Sequence, residues 1–311
     1  MIPSWNRGRS IAAAVILATV VLATVVVAGQ DRPSKTKPRA GAQPATAPRT
    51  PPGQLVRLVV RNEVNSTHDN VAMMFRVRKK TPKGTQTREY VETKDGTAGM
   101  LIAVDDKPIS AEQRQQEFSR LESLLHNPSE LRKKQKQQKD DTERVVRMVS
   151  TLPDAFIYDY DGTQVVNGAT LVRLKFRPNP DFSPPAREQQ VFTGMNGFLL
   201  IDPEAQRIAR IDGTLFKDVS FGWGILGRLN RGGRFVVVQG PVVGGYWTTT
   251  HMQLSFTGKA LLFKTITIQS TEDSSGFQRI PSNLTFAQGV ELLKKAPAEL
   301  AANHRNSRSQ E

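Results

Sequence analysis

Residues 197–213 read GFLLIDPEAQRIARIDG, and this stretch decides the fold. Gly197 to Asp202 is a short apolar run, too short for a helix of ordinary length. Pro203-Glu204-Ala205-Gln206 breaks it, and Arg207 to Leu215 resumes with Ile208 and Ile211 among charged residues. Two short runs on either side of a Pro-led turn pair as an antiparallel hairpin.

The same grammar extends outward. Thr170, Val172, Leu174 and Phe176 face one way while Leu171, Arg173, Lys175 and Arg177 face the other, the period-2 alternation of a strand with one buried side. Phe156, Tyr158 and Tyr160 alternate with Ile157 and Asp159, and Asp161-Gly162 and Asn167-Gly168 are turn signals. A Pro-rich loop (Pro178, Pro180, Pro184, Pro185) interrupts before residue 197. Beyond residue 215, Arg234 to Gln239 reads as a strand. Tyr246, Met252, Leu254 and Phe256 share one face of the next, opposite Trp247, His251, Gln253 and Ser255, and Gly258 turns the chain into Leu261 to Gln269.

Toward the N-terminus, Met73, Phe75 and Val77 alternate with Met74, Arg76 and Arg78 as a half-buried strand. Lys83-Gly84 and Asp95-Gly96 then turn two further strands into a meander. Helices punctuate this sheet. Leu55, Val56, Val59, Val60 and Val64 fall at helical spacing over 55–66, and Ser110 with Gln113 forms a capping box ahead of Phe118, Leu121, Leu124 and Leu125. Pro128 restarts a helix rich in Lys and Arg that docks by Val145, Val146, Val149 and Leu152, and Phe286, Val290 and Leu293 mark a last one. The expected class is α+β: about nine to eleven strands, mostly hairpin-linked, in a curved antiparallel sheet forming an unclosed β-barrel covered by helices.

The chain has 311 residues, 38% hydrophobic, with 43 Lys+Arg against 29 Asp+Glu, a net charge of +14, and no cysteine. The absence of cysteine excludes disulfides, thiolate metal sites, cysteine nucleophiles and an acylated-Cys anchor. Arg7 and Arg9 precede an uninterrupted apolar run from Ile11 to Val27, with Val26 and Ala28 at the positions of a signal-peptidase site. Seventeen helical residues would reach about 25 Å at 1.5 Å each, slightly short of a bilayer core. Residues 1–28 are therefore expected to be an export signal, or alternatively an uncleaved membrane anchor through 11–27. Either way the bulk of the chain lies in the periplasm or cell envelope. Residues 29–54, with six prolines, read as a disordered tether; 55–295 as one domain; and 296–311 as a polar tail. Residues 1–54 hold seven basic groups and one acidic, so nearly half of the net charge lies in signal and tether. Charge and export together argue against nucleic acid as the partner.

Catalytic signals are scarce. His68, His126, His251 and His304 are scattered with no metal-ligand spacing, and no Gly-x-Ser-x-Gly elbow occurs. Asp159 with Asp161, and Asp105 with Asp106, sit at turns, where Asp bonds its own backbone. Gly222-Trp223-Gly224-Ile225-Leu226-Gly227 matches the dinucleotide fingerprint by letter. It lacks a βαβ setting, and no acid follows it until Glu272. No enzyme, cofactor or metal is expected. Val219 to Thr271 contains no Asp or Glu and carries Arg228, Arg231, Arg234, Lys259 and Lys264. A basic rim of Arg228, Arg231 and Lys264 over an apolar cavity would suit acyl chains with an anionic head. The expected lining is Phe75, Phe176, Trp223, Met252, Leu254, Phe256, Ile266 and Ile268; the same residues form a filled core if the barrel has no cavity.

The segments Gly197 to Asp202, Arg207 to Gly213 and Phe221-Gly222-Trp223-Gly224 resemble those of bacterial exported proteins grouped with the periplasmic lipoprotein carriers of the LolA/LolB type. The related lipid-sensing domain of RseB-like stress regulators has a similar layout. The resemblance covers roughly 55–295 and implies an unclosed antiparallel barrel, capped by helices, that holds acyl chains of a lipid or lipidated protein without catalysis. It carries over no functional residue, and the basic helix over 128–151 is longer than in the compact carriers. The rival reading is a membrane-tethered structural or regulatory envelope protein whose basic helix meets an acidic partner or an anionic membrane surface.

Overall fold

The computed structural model describes residues 50–221, 227–260 and 264–295. The apolar run 11–27, the tether before residue 50, Trp223 with most of the glycine-rich motif, and the tail 296–311 lie outside these residues.

The described residues begin with helix α1 (Pro52–Ser66), started by proline in its first turn, where the lost N–H has no helical partner in any case. Its buried face is Leu55, Val56, Val59, Val60 and Glu63. Strands β1 (Ala72–Thr81), β2 (Gly84–Thr93), β3 (Gly96–Val104) and the two-residue β4 (Lys107–Pro108) follow as a meander. Helix α2 (Ala111–His126) starts on the expected capping box, in which Ser110 Oγ accepts from Gln113 N and the Gln113 side chain accepts from Ser110 N. Helix α3 (Pro128–Ala155) is 28 residues long and passes directly into β5 (Phe156–Val166). Then come β6 (Ala169–Pro178), a 3-10 turn over Arg187–Gly194, β7 (Met195–Asp202), β8 (Arg207–Leu215), β9 (Val219–Phe221), β10 (Gly227–Leu229), β11 (Arg234–Pro241), β12 (Trp247–Ala260), β13 (Lys264–Ile280) and helix α4 over 286–295.

The thirteen strands among the described residues form one antiparallel sheet in the order β4-β3-β2-β1-β13-β12-β11-β8-β7-β6-β5, with β9 and β10 branching from β12. The path does not close on itself, because β4 and β5 are its two free edges. The class is α+β, as expected, with more strands than alternation alone delivered. The hairpin read from residues 197–213 is β7–β8, where Gly197 lies opposite Gly213. A Cβ on Gly197 would fall 1.9 Å from the Asp212 carbonyl oxygen, so only glycine lets the two backbones approach here.

The main core lies where α1 and the second half of α3 meet the inner sheet face. It gathers Val56, Val59, Met148, Leu152, Leu174, Phe176, Leu199, Ile201, Phe235, Met252, Leu254 and Phe256. Phe156 anchors it, its ring 4.7 Å from Phe176 and 5.3 Å from Phe192 between centroids. A second core joins Val91, Ala98 and Met100 to Leu121 of α2 and to Phe286, Val290 and Leu293 of α4. Leu131 near the start of α3 packs on this second core while Met148 and Leu152 enter the first, so one helix spans both.

Four local readings are corrected. Asp161-Gly162 is a bulge inside β5, where the register shifts between Tyr160 and Thr163, and the turn is Asn167-Gly168, both at positive φ. Asp161 is engaged by Arg173 and Lys175, and Asp159 by Arg177, so turn chemistry is not their role. Gly258 lies within β12, paired with Leu229 and Ile266, and the connection to β13 falls beyond residue 260. Strand β1 is covered on both faces at its start, where Met73 and Phe75 are buried and Met74 packs on the second core, and only beyond Phe75 does it become half-buried.

Candidate functional site

An apolar pocket of about 70 Å³ lies between α1, α3 and the inner face of the sheet. The last turn of α1 supplies Glu63, Val64, Ser66 and Thr67, and α3 supplies Val145, Val146 and Val149, which helical periodicity brings onto one stripe. The floor is Arg207, Ile208 and Ile211 of β8, Gln239 of β11, and Trp247 and Thr249 of β12.

Two irregularities build this floor. Strict alternation cannot place Ile208 and Ile211 on one face, but the β7–β8 register shifts at Leu200/Ile201 and allows it. A second shift between Val238 and Gln239 reverses the facing of β12. Trp247 and Thr249 thereby join the side of Met252 and Leu254, which corrects the expectation that Trp247 faces away from them. Trp247 also packs against a small separate cluster of Leu171, Leu200 and Ala209.

The polar end of the pocket is a buried ion pair. Arg207 donates from Nε to Glu63 Oε1 at 2.9 Å and from Nη2 to Glu63 Oε2 at 2.8 Å, and Nη2 also donates to Ser66 Oγ at 3.2 Å. Ile208 N donates to Glu63 Oε1 at 3.0 Å. The side chains are only 10% and 13% exposed, so each needs the other's charge. The Arg207 guanidinium lies 6.0 Å from the centre of the Trp247 ring, at the limit of cation–π contact. The pair thus joins the end of α1 to the start of β8 and balances its own charge beside an apolar wall.

The residues expected to line a cavity are placed otherwise. Phe176, Met252, Leu254 and Phe256 come together in the main core, each under 5% exposed, with Ile268 partly buried against them. Ile266 is half-buried near the start of β13. Phe75 stacks between Tyr90 and Phe277, with centroids 5.6 Å from each. Trp223 is outside the described residues, and none of the others lines the pocket. Of the expected basic rim, Arg228 sits on β10 facing Asp218 at 3.6 Å, Arg231 is exposed, and Lys264 starts β13. These three gather at the far end of β12 from Trp247.

Elsewhere, several charges are paired. On α3, Lys136 meets Asp140 at 2.7 Å, Lys139 meets Glu143 at 3.6 Å and Arg144 meets Asp141 at 3.2 Å. Lys134 lies over the Phe286 ring, and burial, with Arg120 and Arg88 nearby, holds its ammonium below the usual lysine range. Helical charge pairs of this kind belong to a solvated face and do not favour the rival reading of a basic helix kept for an acidic partner. On the outer sheet face, Arg210 and Arg234 both bind Asp212. His251 Nδ1 lies 2.7 Å from Asp273 across β12–β13. Among the described residues no three His, Asp or Glu converge as metal ligands would, and no helix is long and apolar enough to cross a membrane.

No protein-family model matches the chain, and no curated protein matches it. Several solved structures are similar to it. One is a DUF1329 family protein from Desulfovibrio piger, 13% identical, covering 76% of this chain and 97% of that one at a TM-score of 0.31. A second is a putative outer membrane lipoprotein-sorting protein domain from Vibrio parahaemolyticus, 12% identical over 76% and 97%, at 0.30. A third is a LolA superfamily protein from Nitrosomonas europaea, 9% identical over 74% and 94%, at 0.28. The architecture of this chain is given by its own strand pairing.

Proposed function

We propose that the protein is a non-enzymatic binding or carrier protein of the bacterial envelope that holds acyl chains of a lipid or lipidated protein beneath α3. On this reading, residues 1–28 export or anchor the chain, 29–54 tether it, and 55–295 form the binding domain.

The observation that carries the proposal is the apolar pocket roofed by Val145, Val146 and Val149 of α3 over Ile208 and Ile211. Its volume of about 70 Å³ is well below the roughly 300–1,000 Å³ of small-molecule sites, so a chain enters only as α3 lifts from the sheet. Lifting the second half of α3 uncovers the inner face of the main core, and the expected lining residues Phe176, Met252, Leu254 and Phe256 then become the deeper part of one continuous groove. Each methylene buried there contributes about 0.8 kcal/mol, so a chain of ordinary length can offset the contacts that α3 gives up.

Trp247 supplies the test. An acyl chain bearing a spin-label quencher, added to the full-length protein, should quench fluorescence that is missing from W247F. Equal quenching in both proteins, or none in either, would remove the pocket from the account.

A further inference from the structure

Resting on the acyl-binding reading, we infer that this pocket selects acyl chains carried on an uncharged ester or amide and discriminates against the free fatty acid, with Gln239 and Thr249 meeting that linkage. These two residues are register partners across β11–β12 and both line the pocket. None of the hydrogen bonds among the described residues uses the Gln239 side-chain amide or the Thr249 hydroxyl. Between them they offer donors and acceptors of no net charge.

The charged groups of the pocket are committed by contrast. Both oxygens of Glu63 accept from Arg207, and Oε1 takes Ile208 N as well. A fatty-acid carboxylate entering here brings a second negative charge to a buried site whose single guanidinium already balances Glu63, which is a poor exchange for the water it leaves. An ester or amide carbonyl asks only for a neutral donor, and Gln239 or Thr249 provides one. The apolar wall of Val146 and Val149 faces the first carbons of the chain.

Calorimetric titration of the full-length protein with 1-monooctanoylglycerol and with octanoate at pH 8 tests this, since the two share one chain length. The ester should bind at least about ten-fold more tightly. Q239M and T249V should each weaken ester binding roughly three- to ten-fold, the worth of one neutral hydrogen bond, and leave octanoate unchanged. E63Q keeps an acceptor for Ile208 N but unbalances Arg207, so it should raise octanoate affinity. Octanoate binding as tightly as the ester to the unaltered protein, or Q239M and T249V weakening both ligands alike, would overturn the inference while leaving acyl binding in place. Failure of both ligands to bind would overturn both.

Discussion

Replacing Arg207 by leucine is the most informative perturbation of the fold around the pocket. It removes two hydrogen bonds to Glu63 and one to Ser66, and strands a carboxylate that is 10% exposed with only the Ile208 N–H for company. Breaking one side of a buried ion pair costs about 3–5 kcal/mol, because the remaining charge loses its counterion and regains little water. E63L is expected to cost a similar amount, since it strands the guanidinium and the Ile208 N–H together. The double variant E63L/R207L has no stranded charge. Its main loss is the acceptor for Ile208 N, about 1–3 kcal/mol. The cycle therefore closes with a coupling of at least about 3 kcal/mol. Urea unfolding followed by circular dichroism reads this as midpoints lowered by about 1–3 M in each single variant, with the double falling less than either. A shift below about 0.5 M in R207L, or additive losses in the double, would refute the claim that this pair clamps α1 to β8.

Further outcomes follow from the same contacts. G197A should destabilise severely or abolish folding, because the added methyl meets the Asp212 carbonyl of the facing strand at 1.9 Å; a thermal scan with an unchanged midpoint would contradict the β7–β8 register. F256A should cost about 3–5 kcal/mol in urea unfolding, as expected for an aromatic in a filled core, and a near-neutral result would point to a hollow interior. Asp212 is buried, which alone would raise its carboxyl, but Arg234 and Arg210 outweigh burial and hold it below the usual range. A depressed native value stabilises fully above the unfolded value of about 3.9 and is lost as pH falls through the native one. The stability gap between the unaltered protein and D212N should therefore be constant near neutrality and narrow steadily below about pH 5; a gap that widens in acid would reverse the assignment.

What the sequence disclosed was whatever is written locally. The alternation of 170–177, the Pro-led turn of 203–206 and the Ser110–Gln113 box each need only a few neighbouring residues, and each is found as read. What escaped depends on backbone irregularity or distance. Asp161-Gly162 looks like a turn but serves as a bulge, and the shift near Val238 turns Trp247 from the expected outer side to the pocket. The pairing of β1 with β13 joins residues about 200 positions apart, which no short window contains. The pocket is of this second kind: Glu63 and Arg207 are 144 residues apart. One signal was present. Glu63 falls on the apolar stripe of α1 below Val56, Val59 and Val60, and a carboxylate on a buried face requires a cation from elsewhere.

The central claim, that the pocket beneath α3 takes acyl chains, is tested most directly by mass spectrometry of the full-length protein isolated gently from its native envelope, with intact mass and organic-extracted ligands taken from one sample. Stoichiometric acyl-chain lipid or lipidated protein is expected, reduced in a V149W variant that fills the pocket. Protein that carries no acyl chain, or carries the same amount in V149W, would contradict it.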